Sequence, residues 1–353
     1  MYKDRGDLEP PFRKAGWDVF EAAPFLGVCP GDRSRAMDLV DTVAEPAESV
    51  SSVVESSEAM ITSTANPRVV EARKLRQRKH RVSQDRFMIE GLQLLRMAIE
   101  QRHTPRWSGK IRPAELFYCR DRLRGSLADE LVEGYVAAGS TLFEVSETVI
   151  DALSSRDASQ GAAATLSLTA AEWTLEEIEG SVGKSIAPRL ILVLDRPQNP
   201  GNAGTLIRTA DAVGASAVVM LEPCVDPFDL GVVRSSMGSL LSIPVVRLRD
   251  PVGLSRWLVG RGFRFVGADG SAGQAVWDSD AFDGSVALAL GNEADGLGST
   301  LRNELQDRVN LPLLGRAESL NVAVAGGVLM YEWLRVCRAD VGKEDTRVSL
   351  NGR

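Results

Sequence analysis

The residues with the clearest potential for chemistry lie in "LDRPQNPGNAGTLIRTADAVGA", residues 194–215. An apolar run ends here, a cluster of Pro, Asn and Gly follows, and apolar residues then recur at helical spacing, which predicts strand, loop and helix. The loop combines Gly201 and Gly204 with amide side chains, and Arg208 follows Asn202 by six residues. Glycines let a backbone approach a bound nucleotide closely. A nucleotide-binding loop does not, however, explain the arginine.

Two later stretches have a similar character: "ALALGNEADGLG" carries Glu293, and "VNLPLLGRAESLNVAVAGGVLMYEWLR" carries Ser319 and Asn321. Taken singly, each has a structural explanation, because glycines form turns, carboxylates face solvent, and Ser or Asn caps helices. Arg208 taken alone could likewise be an ordinary surface arginine. The coincidence of three glycine- or amide-rich loops, each after a strand and before a helix, favours one shared binding site.

The second half of the chain alternates between buried strands and helices, which predicts an α/β fold with a mostly parallel sheet. Ligands of such sheets bind beyond the carboxyl ends of the strands, where the three loops fall. The predicted strands are 190–194, 217–221, 264–268 and 286–290, and the predicted helices are 205–213, 228–241 and 253–261.

Charge is distributed unevenly, although the net charge of −7 alone argues against a nucleic-acid partner. Residues 1–60 carry six Lys and Arg against twelve Asp and Glu, whereas residues 66–86 carry eight against two. The basic run predicts contact with RNA phosphates, with a solvated helix face as the alternative. The RNA-binding candidates are Arg68, Arg73, Lys74, Arg76, Arg78, Lys79 and Arg81.

These patterns divide the chain into five parts. We expect a disordered acidic extension at 1–58, a small α/β domain that binds the RNA substrate at 59–169, a polar linker at 170–187, the parallel-sheet domain at 188–340 and a C-terminal tail at 341–353.

Cysteine and histidine content bounds the chemistry. The four cysteines are far apart in sequence, and there are only two histidines, so we expect neither a metal site nor a histidine-based triad. We see no signal peptide and no membrane-spanning segment, and scattered thiols suit a cytoplasmic protein.

Together the three loops resemble the motifs of the SpoU (TrmH-like) branch of the SPOUT methyltransferases, which transfer a methyl group from S-adenosylmethionine to a ribose 2′-oxygen of RNA. Upstream, "STANPRVVEARKLRQRKHRVSQDRFMIEG" resembles the family's N-terminal RNA-binding module, which is shared with some ribosomal proteins. Gly326 and Gly327 depart from a commonly alanine-rich helix, and Asn292 stands where many relatives have Ser or Ala. The matching residues are Asn202 with Arg208, Leu290-Gly291-Asn292-Glu293 with Gly296, and Leu311-Pro312 leading to Ser319-Leu320-Asn321-Val322.

The resemblance implies a deep trefoil knot in the C-terminal domain, S-adenosylmethionine as cofactor, RNA as substrate and a homodimer formed through the knotted domain. The implied catalytic residues are Arg208, Asn202, Glu293, Ser319 and Asn321. The implied cofactor-binding residues are Leu290, Gly291, Asn292, Leu311, Leu313, Ser319, Leu320 and Asn321. Because guanidinium holds its proton firmly, we expect Arg208 to grip a phosphate and stabilise the developing alkoxide, with a role as base as the alternative.

Other functions stay open at this point. A binding-only protein could keep the basic module beside a decayed knot, and a nucleotide-dependent oxidoreductase would need Gly-x-Gly-x-x-Gly, which the first loop lacks. The N-terminal module favours large-subunit (23S) ribosomal RNA as target, including the targets of antibiotic-resistance methylases. A tRNA substrate is the alternative.

Overall fold

A computed structural model describes residues 59–155, 159–182 and 187–350, without the side chains of 126–127, 181–182 and 339–350. The predicted acidic extension at 1–58 lies outside these residues. The two sheets described below belong to one unit, Glu58–Arg353.

The N-terminal part is a mixed four-stranded sheet in the order β1-β4-β2-β3, in which β4 is antiparallel to both neighbours and β2 is parallel to β3. Helices cover both faces, so each face has its own apolar cluster. The strands are β1 (Arg86–Glu90), β2 (Pro113–Tyr118), β3 (Thr141–Glu144) and β4 (Ala162–Ser167), and the helices are α1 (Pro67–Lys74), α2 (Arg78–Gln84), α3 (Leu92–Gln101), α4 (Ser126–Ala137) and α5 (Glu147–Leu153).

The segment predicted as a linker, 170–187, contains regular structure. Helix α6 (Leu168–Ala171) and helix α7 (Leu175–Val182) lie in or next to it, and Trp173 and Ile178 are buried. The Trp173 ring meets the Trp107 ring edge to face at 5.2 Å between centroids. The polar composition of the segment therefore belongs to its outer face, while its few apolar residues pack against the two sheets.

The C-terminal part is an all-parallel six-stranded sheet in the order β10-β8-β9-β5-β6-β7. Its central strands are buried along their whole length, as expected for a parallel sheet covered on both faces. The four predicted strands are confirmed, while β7 and β10 are additional. The strands are β5 (Leu190–Asp195), β6 (Ala217–Leu221), β7 (Val245–Leu248), β8 (Arg264–Ala268), β9 (Val286–Leu290) and β10 (Asp307–Val309), and the helices are α8 (Pro200–Ala212), α9 (Leu230–Ser235), α10 (Pro251–Val259), α11 (Ser299–Glu304) and α12 (Val322–Leu350).

All three predicted helices of this part differ from their predicted bounds. Helix α10 occupies Pro251–Val259 where 253–261 was predicted, because Pro251 suits the first helical position and the Asp250 side chain accepts the Gly253 N–H. Helix α8 begins at Pro200 rather than at residue 205, because proline suits the first helical position and the Asn199 side chain accepts the Asn202 N–H at 3.0 Å. The predicted helix at 228–241 is interrupted after α9, where Gly238 adopts a φ of 99°. A short 3₁₀ turn, Ser239–Leu241, follows.

Helix α12, Val322–Leu350, continues into the segment predicted as a C-terminal tail, 341–353. Among the residues that the structure describes, no helix is long and apolar enough to cross a membrane.

Arg81, on α2, connects the N-terminal part of the molecule to the loop after β6, and its surroundings contradict one prediction. Its side chain is only 2% exposed, and it donates two hydrogen bonds to Asp226, at 2.8 and 3.1 Å. Its remaining donor group binds the carbonyls of Leu75 and Arg76. The prediction that Arg81 contacts RNA is therefore wrong, since burial and these partners occupy the guanidinium.

The Arg81–Asp226 pair predicts a large loss of stability in Arg81→Met, because this change leaves the Asp226 carboxylate buried without its partner. We expect the free energy of unfolding to fall by about 3–5 kcal/mol, measured by urea denaturation. Arg78→Met is the matched control, since Arg78 lies 4.0 Å from the same carboxylate but is 52% exposed; we expect a change of at most about 1 kcal/mol. Equal effects of the two substitutions would contradict a special role for the buried pair.

Candidate active site

A cavity of about 580 Å³ opens at the carboxyl ends of β8, β9 and β10. This is the edge where ligands of parallel sheets bind. All eight predicted cofactor-binding residues line it, together with Asn202 and Glu293. The lining residues are Asn202, Ala268, Asp269, Gly270, Leu290, Gly291, Asn292, Glu293, Ala294, Gly296, Val309, Asn310, Leu311, Leu313, Glu318, Ser319, Leu320, Asn321, Val322, Ala325 and Leu329.

A chain of side-chain hydrogen bonds joins the three predicted loops. The Asn202 amide donates to Glu293 Oε1 at 3.1 Å, and the Asn321 amide donates to Asn202 Oδ1 at 3.1 Å. These residues are 91 and 119 positions apart in sequence, so only the fold brings them together. Asn202, the middle residue, is thereby fixed in orientation by a donor on one side and an acceptor on the other.

Glu293 is held as a carboxylate. Burial raises its pKa, but hydrogen bonds from the Asn202 amide and from the backbone N–H groups of Gln198 and Asn199 outweigh burial, so the net pKa lies below its ordinary value. An ionised carboxylate accepts hydrogen bonds and donates none. Glu293 therefore stabilises the loop before α8 and fixes the direction of the Asn202 amide.

Asn321 both caps a helix and contacts another of the predicted loops. Its Oδ1 accepts the N–H groups of Ala323 and Val324, at 2.9 and 3.3 Å, which is the geometry of a helix cap. Its amide group meanwhile reaches Asn202. Ser319, two residues earlier, is exposed at the cavity and forms no hydrogen bond with the part of the chain that the structure describes.

The loop after β9 brings backbone to the cavity surface. Asn292 and Gly296 exchange backbone hydrogen bonds of 3.0 Å, and the Asn292 side chain binds the carbonyl of Arg196 and the N–H of Ala294 at 2.8 Å each. A Cβ atom on Gly291 would lie 2.3 Å from the Gly296 carbonyl carbon. Glycine is therefore required at 291, and the Asn292 side chain holds its own loop rather than pointing to a ligand.

Sequence reasoning missed two acidic residues at this edge. Asp195 ends β5, is buried, and accepts the Gly298 N–H at 2.7 Å, so it also fixes the loop after β9. Asp269 follows β8, lines the cavity and binds Arg308 at 3.1 Å. Their sequence positions could have identified them, since each carboxylate lies at or just after the end of an apolar strand.

Arg208 is not brought to the cavity within one chain. It is exposed on α8, does not line the cavity, and forms no ion pair with the described residues. Six residues of helix correspond to a rotation of about 600° and a rise of about 9 Å, so Arg208 projects about 120° away from Asn202. Four of the five predicted catalytic residues therefore lie at the cavity, and the fifth lies on another face of α8.

The predicted RNA-binding residues lie on α1, on α2 and between them. Arg68 packs over the Phe143 ring at 4.4 Å, and Lys74 pairs with Glu71. Arg76 donates to carbonyls of Ala152 and Ser154 at the end of α5, so part of its function is to cap that helix. The candidates that keep an exposed position are Arg68, Arg73, Arg76, Arg78 and Lys79, with Lys74 half-buried.

Comparison with known proteins agrees with this geometry. Residues 189–331 match the SpoU rRNA Methylase family, and residues 66–164 match the MRM3-like substrate binding domain. An uncharacterized tRNA/rRNA methyltransferase of Synechocystis is 33% identical over 281 residues, which cover 78% of this chain and 93% of that protein. The chain belongs to the SpoU methylase family.

Further relatives have more specific names. The 23S rRNA (guanosine(2553)-2′-O)-methyltransferase of Bacillus subtilis is 31% identical, with 77% of this chain and 97% of that enzyme covered. The AdoMet-bound rRNA methyltransferase of Sinorhizobium meliloti superposes with a TM-score of 0.66 at 32% identity, covering 78% of this chain and 97% of that one. The methyltransferase AviRb of Streptomyces viridochromogenes, in complex with AdoMet, gives a TM-score of 0.66 at 28% identity, with coverage of 76% and 97%.

Within residues 59–155, 159–182 and 187–350, no group of three or more His, Cys, Asp or Glu is placed to hold a metal ion.

The hydrogen bond from Asn202 predicts the titration of Glu293. Asn202→Ala removes a donor to the carboxylate, so we expect the Glu293 pKa to move upward toward its ordinary value. Because the pKa is lowered in the folded protein, the contact stabilises the fold above the ordinary pKa, and this contribution is lost as the pH falls through the folded value. The carboxyl carbon of Glu293, followed by NMR against pH, measures the shift. Thr205→Ala, an exposed change on the same helix, is the control, and an unshifted pKa in Asn202→Ala would contradict the hydrogen-bond chain.

Proposed function

We propose that this protein is an S-adenosylmethionine-dependent 2′-O-ribose methyltransferase of RNA. The observation that carries the proposal is the cavity at the carboxyl edge of the sheet, where the Asn321–Asn202–Glu293 chain joins three separated motifs. Membership of the SpoU methylase family supports it independently.

The residues present fit S-adenosylmethionine. The cavity volume of about 580 Å³ falls within the range of about 300–1,000 Å³ that is usual for small-molecule sites. Leucine side chains and the exposed backbone around Gly291 offer the combination of apolar surface and polar backbone groups that an adenosine needs. The residues we assign to this task are Leu290, Gly291, Leu311, Leu313, Ser319, Leu320 and Asn321, while Asn292 lines the cavity and holds the shape of its loop.

When bound, S-adenosylmethionine supplies an electrophilic methyl group, so the protein must mainly align a poor nucleophile and stabilise its charge. Asn202 and Ser319 face the cavity and can hydrogen-bond the target ribose. The Asn202 amide and two backbone N–H groups take three of the four acceptor positions of the Glu293 carboxylate, and its lowered pKa makes it a weaker base. Glu293 therefore orients Asn202 and does not accept the hydroxyl proton.

Arg208 reaches the reacting atoms from a second copy of the chain. On α12, Val324, Val328 and Tyr331 recur at helical spacing and are between 42% and 55% exposed. Gly327 of α12 lies against Thr209 of α8, so this apolar stripe is adjacent to the helix that carries Arg208. An exposed apolar stripe of this kind favours a protein interface. We assign it to a homodimer in which each Arg208 grips a phosphate at the partner's cavity.

The same proposal includes a trefoil knot formed by the chain around the cavity, as the family resemblance implies. RNA phosphates are assigned to the exposed side of α1 and α2, which carries a local excess of positive charge. The residues assigned are Arg68, Arg73, Lys74, Arg76, Arg78 and Lys79, without Arg81.

Ribosomal RNA of the large subunit is the substrate we favour, since relatives that cover most of the chain are named for 23S rRNA. A resistance role is included only as what the family resemblance implies, because the N-terminal module, matched here at residues 66–164, also occurs in antibiotic-resistance methylases. We place the protein in the cytoplasm, where this RNA is made and assembled.

Incubation with labelled S-adenosylmethionine and total RNA tests the activity. We expect label in 23S rRNA, on a ribose 2′-oxygen and with a metal chelator present, because alignment and charge stabilisation need no metal ion. Digestion to nucleosides locates the label. Label confined to tRNA would move the substrate to the alternative, label on a base would refute 2′-O transfer, and RNA binding without transfer would leave only a binding protein.

Arg208→Ala should lower turnover by about 10²-fold or more, the scale of losing one charge-stabilising donor, while S-adenosylmethionine affinity stays unchanged. Steady-state kinetics and calorimetric titration of the cofactor measure the two quantities. Arg256→Ala, an exposed arginine on α10, removes the same charge and should change neither. An equal loss of affinity and turnover in Arg208→Ala would place this arginine in the cofactor subsite.

A further inference from the structure

The connection between α3 and β2 is strongly basic. From residue 102 to residue 112 the sequence "RHTPRWSGKIR" contains four Arg and Lys residues and one His, with no Asp or Glu. It lies outside α1 and α2, to which RNA binding was assigned. Its positive side chains fall into two groups with different surroundings.

The first group fastens the connection to the C-terminal part of the molecule. Arg106 donates to the carbonyl of Ser216 at 2.7 Å, and the Trp107 indole donates to the carbonyl of Ser242 at 3.3 Å. Lys110 binds the carbonyl of Glu172 and the carboxylate of Glu177, at 2.7 and 2.6 Å. These contacts fix the connection as a rigid part of the fold.

The second group faces a separate polar cavity of about 540 Å³. Arg102, His103 and Arg112 line it together with the Ser108 hydroxyl, and no carboxylate is among its lining residues. The Arg112 Nε donates to the Gly109 carbonyl at 2.9 Å, which fixes the guanidinium plane and leaves its terminal nitrogens for a ligand. A cation at the end of α3 would stabilise that helix, but this explains only Arg102. A fixed guanidinium group on Arg112, beside the cationic Arg102 and without a carboxylate among the lining residues, favours a phosphate ligand.

This cavity lies away from the catalytic one. Ser216, which holds Arg106, immediately precedes β6, so the connection lies at the amino end of the parallel sheet. The catalytic cavity opens at the carboxyl end. The five residues of β6 alone separate the two edges by about 16 Å, at roughly 3.3 Å per residue.

We propose that Arg102, His103 and Arg112 form a second phosphate-binding site for the RNA backbone, at the edge of the molecule opposite the catalytic cavity. The inference rests on the proposed function and narrows its substrate. An RNA that occupies both sites must extend past the depth of the sheet, about 16 Å or roughly five base pairs at about 3.4 Å each, so the substrate continues beyond the loop that carries the target nucleotide. A hairpin with a stem shorter than about five base pairs reaches only the catalytic edge and α1–α2.

The test compares two RNAs, an in vitro transcript of 23S rRNA and a short hairpin cut from it around the methylated nucleotide. For the long RNA, we expect Arg102→Ala/Arg112→Ala to weaken binding and to reduce the slope of log K against log salt by roughly 1.4–1.8, the loss of two phosphate contacts. For the hairpin, binding, methylation and S-adenosylmethionine affinity should stay as in the unmodified protein.

Two further variants control for charge and folding. Arg256→Ala removes one exposed charge on α10 and should leave both slopes unchanged, whereas Arg102→Lys/Arg112→Lys keeps the charge and should restore most of the slope. Equal salt slopes for the double alanine variant and the unmodified protein on the long RNA would overturn the second site while methylation persists. An unmodified protein that methylates neither RNA would instead refute the proposed function. Equal losses on both RNAs would assign these arginines to folding or to the catalytic edge, and would also overturn the proposal.

Discussion

The candidate active site depends on one hydrogen-bond chain, from Asn321 through Asn202 to Glu293. Its three members come from the start of α12, the first turn of α8 and the loop after β9, so it connects segments that are far apart in the sequence. The lowered pKa of Glu293 keeps the acceptor at the end of the chain charged, and charge-assisted hydrogen bonds are the stronger kind. With Asn202 fixed in this way, the cavity presents one defined amide face to a ligand.

Close packing holds in place the helices and the strand that carry this hydrogen-bond chain. A Cβ on Gly326 would lie 2.5 Å from both Leu206 and Leu290, so α12 rests directly on α8 and β9. A Cβ on Gly204 would lie 1.9 Å from the Ser235 hydroxyl, so α9 is pressed equally closely against α8. Interiors packed this tightly do not absorb added atoms cheaply. Gly204 and Gly326 are thus favoured by the close packing of α8 against α9 and of α12 against α8 and β9.

Much of this could be predicted from the sequence, because the informative signals are local. Buried runs predicted the four central strands, and the position of loops after strands predicted that Asn202, Glu293, Ser319 and Asn321 would share one edge. Arg81 could not be placed, since its partner Asp226 is 145 residues away and nothing in a run of basic residues marks the one that turns inward. The prediction of a linker around Trp173 was wrong for the same reason, because the packing of Trp173 depends on Trp107, which lies 66 residues earlier in the connection between α3 and β2.

The exposed position of Arg208 is the reason that our proposed mechanism needs a second copy of the chain. In that proposal the partner's Arg208 serves the cavity, and the exposed apolar face of α12 is the surface between the two copies. Mixing two inactive variants, Arg208→Ala and Gly291→Leu, under conditions that exchange subunits measures this most directly. A composite site predicts that methyl transfer reappears, because the mixed dimer has one intact cavity served by the partner's intact Arg208. Activity that stays absent in dimers verified as mixed would contradict a shared site, and with it this placement of the arginine.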